Sequence, residues 1–191
     1  MAQSVIDEAP YGSFHRKMVL LSAGGPFVDG YVLTNIGVVS ALIQQQLRLD
    51  ETELGLVGAA ALVGLFVGGL AFGRVTDIIG RKLMYTVDLA ALAIGSALCL
   101  FVQEGWQLIV LRLVLGIAIG ADYPIATAIL SEWLPRKERG RAMGQLMAWW
   151  FTGACAATVV GYGMVELLGD DSWRWVLASA AVPTVVIMIA R

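Results

Sequence analysis

The stretch QLIVLRLVLGIAIGADYPIATAILS, residues 107–131, runs for 25 residues with only two charged side chains inside it, Arg112 and Asp122. As a helix it would rise about 37 Å, enough to cross the roughly 30 Å hydrocarbon core of a bilayer. It is too long for a barrel strand and shows no sustained alternation of period two, so a membrane-spanning helix is the reading. Working outward, five more runs qualify, at residues 18–47, 54–73, 83–102, 141–168 and 173–190, all separated by short polar connections. The sequence thus predicts an all-α membrane protein with six transmembrane helices over residues 18–191. Residues 1–17 carry Asp7, Glu8, Pro10 and Gly12 and lack the apolar core and cleavage site of a signal peptide, and they read as a polar tail.

Composition agrees. The 191 residues are 58% hydrophobic and 15% charged, with a mean hydropathy of +0.76, more apolar than a soluble domain of this size can hide. A net charge of -2 gives no reason to expect a nucleic-acid partner. Cys99 and Cys155 lie in apolar runs without metal or disulfide spacing and read as packing residues. The basic residues order the topology. Arg16, Lys17, Arg74, Arg81, Lys82, Arg136, Lys137, Arg139, Arg141 and Arg191 fall on one side, whereas the opposite connections are mostly acidic, with Arg48 and Arg174 the exceptions. By the positive-inside rule both termini lie in the cytoplasm, as expected for a multi-pass protein of the plasma (inner) membrane.

Charges at membrane depth carry the functional reading, because each costs at least about 2.5–3.5 kcal/mol at a helix centre and persists mainly beside a cavity or a partner. Asp29 follows Gly24, Gly25 and Pro26, which loosen the helix. It reads either as a carboxyl that loads and releases a proton or as one held ionised by Arg112 in a structural ion pair, and the first is favoured because leaving water favours the neutral form of a carboxyl group. Asp122-Tyr123-Pro124 puts an acid, a phenol and a helix breaker together, Pro124 lacking the donor that the carbonyl of Gly120 would have used. Arg112, Gly116 and Gly120 form an R-x-x-x-G-x-x-x-G series that brings both glycines to nearly one face. Glycines follow from packing alone; an arginine there needs a carboxylate or an anionic substrate. The proton-coupling set is therefore Asp29, Asp122 and Arg112. Asp88, near a helix end, is left outside the site as a residue that can snorkel.

Tyr31, Asn35, Tyr123, Trp149 and Trp150 are the candidate substrate contacts. The two tryptophans are adjacent and so point about 100° apart, which argues against one shared role. Trp106 and Trp173 sit near span ends and read as interfacial anchors. The only histidine, His15, precedes the first span, and neither a metal cluster nor a nucleophile triad is legible, so the chain does not read as an enzyme. Asp29-Gly30-Tyr31 returns loosely as Ala121-Asp122-Tyr123, an echo compatible with a three-plus-three inverted repeat.

Gly73-Arg74-Val75-Thr76-Asp77-Ile78-Ile79-Gly80-Arg81-Lys82 resembles the G-x-x-x-D-x-x-G-R-K signature of the major facilitator superfamily, with Ile78 where many members carry an arginine. The helix 4 glycine series and Glu132-Trp133-Leu134-Pro135-Arg136-Lys137-Glu138-Arg139-Gly140 resemble further elements of its sugar porters and metabolite:proton symporters. Gly120-Ala121-Asp122-Tyr123-Pro124 is similar to the helix 4 signature of phosphate:proton symporters. The second acid of their helix 1 pattern is missing, since Val32 follows Tyr31, and the helix 5 glutamines of sugar porters are not in register here. The resemblance implies an amino-terminal six-helix half, with a missing carboxy-terminal half or a second copy supplying the other wall. It implies a cytoplasmic gate motif of Gly73, Asp77, Gly80, Arg81, Lys82, Glu132 and Arg139, in which Asp77 meets Arg81 or Arg139. The expected activity is proton-coupled symport of a small organic metabolite or organic anion, driven by the proton gradient with no cofactor. Sugar or other solute uniport, and a non-transporting receptor or scaffold module, stay open as alternatives.

Overall fold

The computed structural model describes residues 10–190, with the side chains of residues 73–75, 77–79, 81, 82 and 123 outside the description. It is all-helical. Five long apolar helices, α1 (Ser13–Leu47), α2 (Glu51–Ile79), α3 (Arg81–Leu98), α4 (Gly105–Trp133) and α5 (Arg139–Leu168), are followed by two short ones, α6 (Ser172–Ala178) and α7 (Ala181–Ala190). By length and composition five segments among the described residues can cross a membrane: Ser13–Leu47, Glu51–Phe72, Leu83–Phe101, Gly105–Trp133 and Arg139–Ala190, the last taking in α5, α6 and α7. The last apolar run, expected as one continuous span, is interrupted. Pro183 has no N–H to offer the carbonyl of Ser179, which instead accepts from the Val182 amide at 3.1 Å, and the chain turns between α6 and α7.

The helix ends follow from their residues. Arg48 closes α1 in the left-handed conformation, with φ 53°. Asp50 then opens α2 as its N-cap: its carboxylate accepts from the Glu53 amide at 2.7 Å, and the Glu53 carboxylate accepts from the Asp50 amide at 3.1 Å. Gly80, at φ 99°, is the single residue between α2 and α3, a conformation that glycine adopts without the steric cost a side chain brings.

Glycine sets how closely the helices approach. A methyl group placed on Gly116 of α4 would overlap the carbonyl oxygen of Ala61 on α2, and one on Gly64 of α2 would overlap that of Leu113 on α4. The same reciprocal contact recurs one turn on, between Gly120 and Leu65 and between Gly68 and Ile117. It appears again between α1 and α5, where Gly30 lies against the carbonyl of Trp150 and Gly153 against that of Phe27. In each clasp a glycine and the residue three before it meet their counterparts on the facing helix, a geometry that places Cα–H groups on carbonyl oxygens. The pairs α1·α5 and α2·α4 are accordingly the most extensive packings of the bundle.

Around these pairs the core is apolar at both ends and polar in between. At the end bearing the acidic connections, Ile43, Leu49, Val57, Leu108 and Trp173 pack together; at the basic end, Val19, Leu130, Leu134 and Leu146 do so. Leu62, Phe66 and Leu70 of α2, Val159 of α5 and Ile189 of α7 are exposed on the outside, where a bilayer would cover them.

Two local expectations need correction. Trp173 is not an interfacial anchor: it is fully buried, its Nε1–H donates to Gln46 Oε1 at 2.6 Å, and the Arg174 guanidinium stacks over its ring. Gln46 Nε2 in turn donates to the carbonyl of Asp170, and Arg174 Nε to that of Val102, which ties α1, the end of α3 and α6 together. Cys155 is exposed, whereas Cys99 is buried.

Replacing Gly116 or Gly153 by leucine forces a side chain into facing backbone and is expected to cost more than about 4 kcal/mol, read as loss of monodisperse folded protein in detergent. Gly163→Ala, which points into open space, is expected to be neutral or to raise stability by up to about 1 kcal/mol in the same thermal measurement.

Candidate functional site

Among the described residues, four charged side chains are buried in the membrane-spanning part of the bundle: Asp122 at 0% exposure, Arg112 at 2%, and Asp29 and Asp88 at 4% each. Asp29 lies on α1 one turn beyond Pro26, and with Pro26 it lines a cavity of about 470 Å³ among α1, α2, α4 and α5. Pro124, Met147, Trp150 and Phe151 complete the wall that a bound molecule would touch. The cavity is therefore apolar and aromatic, with one acid in it.

Asp122 sits behind that cavity, against the backbone of α1. A methyl group on Gly25 would overlap its Oδ2 and meet the Tyr85 hydroxyl of α3 at 2.7 Å. Gly25 is thus the gap through which an α4 carboxyl and an α3 phenol reach the first helix. Neither oxygen of Asp122 has a hydrogen-bond partner, nor has either oxygen of Asp88 or Oδ1 of Asp29. Asp29 lies within electrostatic reach of both Asp122 and Asp88, and Asp88 of Asp122. Asp88 also borders a small cavity of about 120 Å³ between α2, α3 and α4. Sequence reasoning left Asp88 outside the site; the structure gathers it with the other two acids. The signal that could have found it is its position on α3, since Asp88 falls three residues after Tyr85 and shares its helical face.

Arg112 is not where an ion pair with Asp29 would need it. Its Nη1 donates to the carbonyl of Val32 at 2.8 Å, and its Nε has no partner. Neither Asp29 nor Asp122 forms an ion pair with it among the described residues. The expected pair of Arg112 with a carboxylate is replaced by a bond to the α1 backbone, and Arg112 is the one buried cation among the described residues.

The candidate substrate contacts separate. Trp150 lines the cavity with Asp29. Trp149 points elsewhere, edge-on to Phe27 with ring centroids 6.3 Å apart, in a groove beside α7. Tyr31 is buried in the core, where its hydroxyl and Ser179 Oγ are 2.8 Å apart; Ser179 Oγ donates onward to the carbonyl of Val176, so the phenol is the donor to Ser179. That bond fastens α1 to the interruption between α6 and α7. Asn35 is buried with its Oδ1 unpartnered, away from the cavity wall. The side chain of Tyr123 lies outside the described residues.

Of the gate motif, Gly80 makes the turn described above, and Arg139 donates its Nε–H to the carbonyl of Leu134, closing the turn between α4 and α5, with Glu132 exposed nearby. The side chains of Gly73, Asp77, Arg81 and Lys82 lie outside the described residues, and the contact of Asp77 with Arg81 or Arg139 with them.

Known proteins share this fold. The sequence profile of the Major Facilitator Superfamily matches residues 23–191. Escherichia coli (strain K12) YaaU is 42% identical over 185 residues, covering 97% of this chain and 41% of YaaU. YgcS of the same organism, an inner membrane metabolite transport protein, is 34% identical over 186 residues, covering 97% of this chain and 42% of YgcS. The fold is that of the xylose transporter XylE from E. coli in a partially occluded inward open conformation, with a TM-score of 0.86 at 18% identity over 93% of this chain and 49% of that one. The chain spans about two fifths of the length of YaaU and YgcS. Relatives of this kind are transport proteins and not enzymes. Because the profile runs from the middle of α1 through the final helix, across both glycine-clasped pairs and the buried acids, the chain belongs to the major facilitator superfamily.

Proposed function

We propose that this chain is the amino-terminal half of a secondary active transporter that couples proton movement to the passage of a small organic metabolite, with an organic anion as the favoured class. The observation that carries the reading is the set of three buried carboxyls: Asp29, the one acid among the described residues of the cavity wall, with Asp122 and Asp88 within electrostatic reach of it. No cation pairs with them among the described residues, so three neighbouring carboxylates repel one another, and a proton on one relieves that repulsion. Loading at Asp29 would then change the charge of the cavity wall and of the buried cluster together. Apolar Trp150, Met147 and Phe151 suit the carbon skeleton of a solute. Arg112 is buried off that wall, and its unpartnered Nε is the donor that an anionic solute reaching it would draw upon.

The reading includes six crossings, the sixth being the interrupted α6–α7 pair, arranged as three plus three. Exchanging α1 with α4 and α2 with α5 turns the α1·α5 packing into α4·α2, and both carry the same reciprocal glycine clasp. This supports an internal two-fold, the symmetry by which transporters open one site from either side. In the whole protein residues 18–191 form one half, residues 1–17 a cytoplasmic tail, and a second half or a second copy closes the cavity. Both termini lie in the cytoplasm, the bilayer is the inner membrane, no nucleic acid is involved, and the proton gradient is the energy source with no cofactor.

In proteoliposomes of the full-length protein, screened with organic acids, sugars and phosphate, a transported solute is expected to drive proton uptake, and Asp29→Asn to abolish it. Uptake of that solute without protons would make the protein a uniporter and overturn the coupling. Asp88→Asn is expected to lower solute-driven proton uptake by about tenfold or more, within the range of one proton-transfer group; unchanged uptake would return Asp88 to a purely structural role. Arg112→Ala is expected to reduce uptake of an organic anion, and equal uptake would remove Arg112 from the substrate site.

A further inference from the structure

A second concavity opens on the other side of α5. Leu21, Gly24 and Phe27 of α1, Trp149 of α5 and Val186 and Ile187 of α7 bound a groove of about 370 Å³ that no charged side chain lines among the described residues. Trp149 and Trp150 differ by about 100° around α5, which turns this groove away from the cavity that holds Asp29. Gly24 sets its depth: a methyl group there would meet Ile187 Cγ2 at 2.7 Å, so α7 comes close to α1 only because the side chain is absent.

The groove has a length and a charged mouth. Its α1 side runs from Leu20 to Phe27, a rise of about 10 Å, or two thirds of the roughly 15 Å hydrocarbon depth of one leaflet. Beyond that end stand Arg16 and Lys17, both exposed. They precede Leu20 and Leu21 by four residues each, so they share the helical face that lines the groove and sit one turn past it. An apolar trough two thirds the depth of one leaflet, ending at two cations where headgroups begin, has the complement of the upper part of an acyl chain and its headgroup. We propose that the groove between α1, α5 and α7 binds an acyl chain of an anionic phospholipid from the leaflet at the basic end of the bundle, with the lipid phosphate held by Arg16 and Lys17. Anionic lipids are characteristic of the cytoplasmic leaflet, the side on which the positive-inside rule puts these residues.

Native mass spectrometry of the intact protein, mixed with phosphatidylglycerol and phosphatidylcholine in equal amounts, tests this. Phosphatidylglycerol adducts are expected to exceed phosphatidylcholine adducts by about thirtyfold, the scale of two basic residues near a charged lipid. Arg16→Gln with Lys17→Gln is expected to bring them down to the phosphatidylcholine level. Val186→Trp, at an exposed position, fills the groove while keeping both cations and is expected to remove the adducts of either lipid. Arg136→Gln with Lys137→Gln, a charge-matched change at the same end but off the groove, is expected to leave the wild-type pattern. Equal binding of the two lipids, no lipid on the wild-type protein, or wild-type adducts in either the Arg16/Lys17 or the Val186 variant would overturn the proposal.

Discussion

Backbone can approach backbone across α1·α5 and α2·α4 only because glycine stands on both sides of each crossing. In water such contacts would be a minor part of a fold dominated by apolar burial. In a bilayer, where lipid tails are as apolar as leucine, close packing of small residues supplies much of what holds helices together. Gly30 and Gly153 on one pair, and Gly64, Gly68, Gly116 and Gly120 on the other, therefore fix the distance between helices. The remainder follows from that distance. With α4 drawn against α2, Asp122 reaches back over Gly25 to the first helix; with α1 drawn against α5, Asp29 and Trp150 share one cavity wall.

Seen in this way the buried acids and the glycines form one arrangement. Gly25 is not a clasp residue, yet it is as constrained as one, because any side chain there would displace the Asp122 carboxyl and the Tyr85 hydroxyl. Asp122 has no opening of its own to the main cavity. In the proposed coupling a proton would reach it by way of its neighbours, Asp29 at the cavity and Asp88 bordering a smaller space on the far side. Arg112, the single buried cation among the described residues, bonds an α1 carbonyl rather than any of the three. Tyr31 extends the arrangement to α6 and α7, since its bond to Ser179 ties the first helix to the point where the last apolar run is interrupted.

Much of the fold was legible because bilayer thickness imposes a length on every crossing, and residues 107–131 satisfy it without ambiguity. The glycine series of α4 was legible as a packing face, and Gly80 as a turn. Partners were not. Hydropathy places Trp173 near a span end, but cannot say that Gln46, 127 positions away, takes its N–H. Spacing shows that Asp29 and Arg112 stand at membrane depth, but not that the guanidinium turns to Val32. Asp88 was set aside for its distance from the midplane along one helix, whereas its role depends on which face of α3 meets α4. The interruption of the last apolar run was carried by Pro183, a signal present in the sequence and outweighed by the length of apolar residues around it.

The account stands or falls on whether the three carboxyls exchange a proton as one group. Infrared difference spectroscopy of the protein in bilayers, recorded as bulk pH is lowered, reads carboxyl protonation directly. The account predicts a protonation band in the wild-type protein that is lost in Asp29→Asn and altered in both Asp122→Asn and Asp88→Asn. A band unchanged by all three substitutions, or changed by one while the other two leave it as in the wild type, would contradict it.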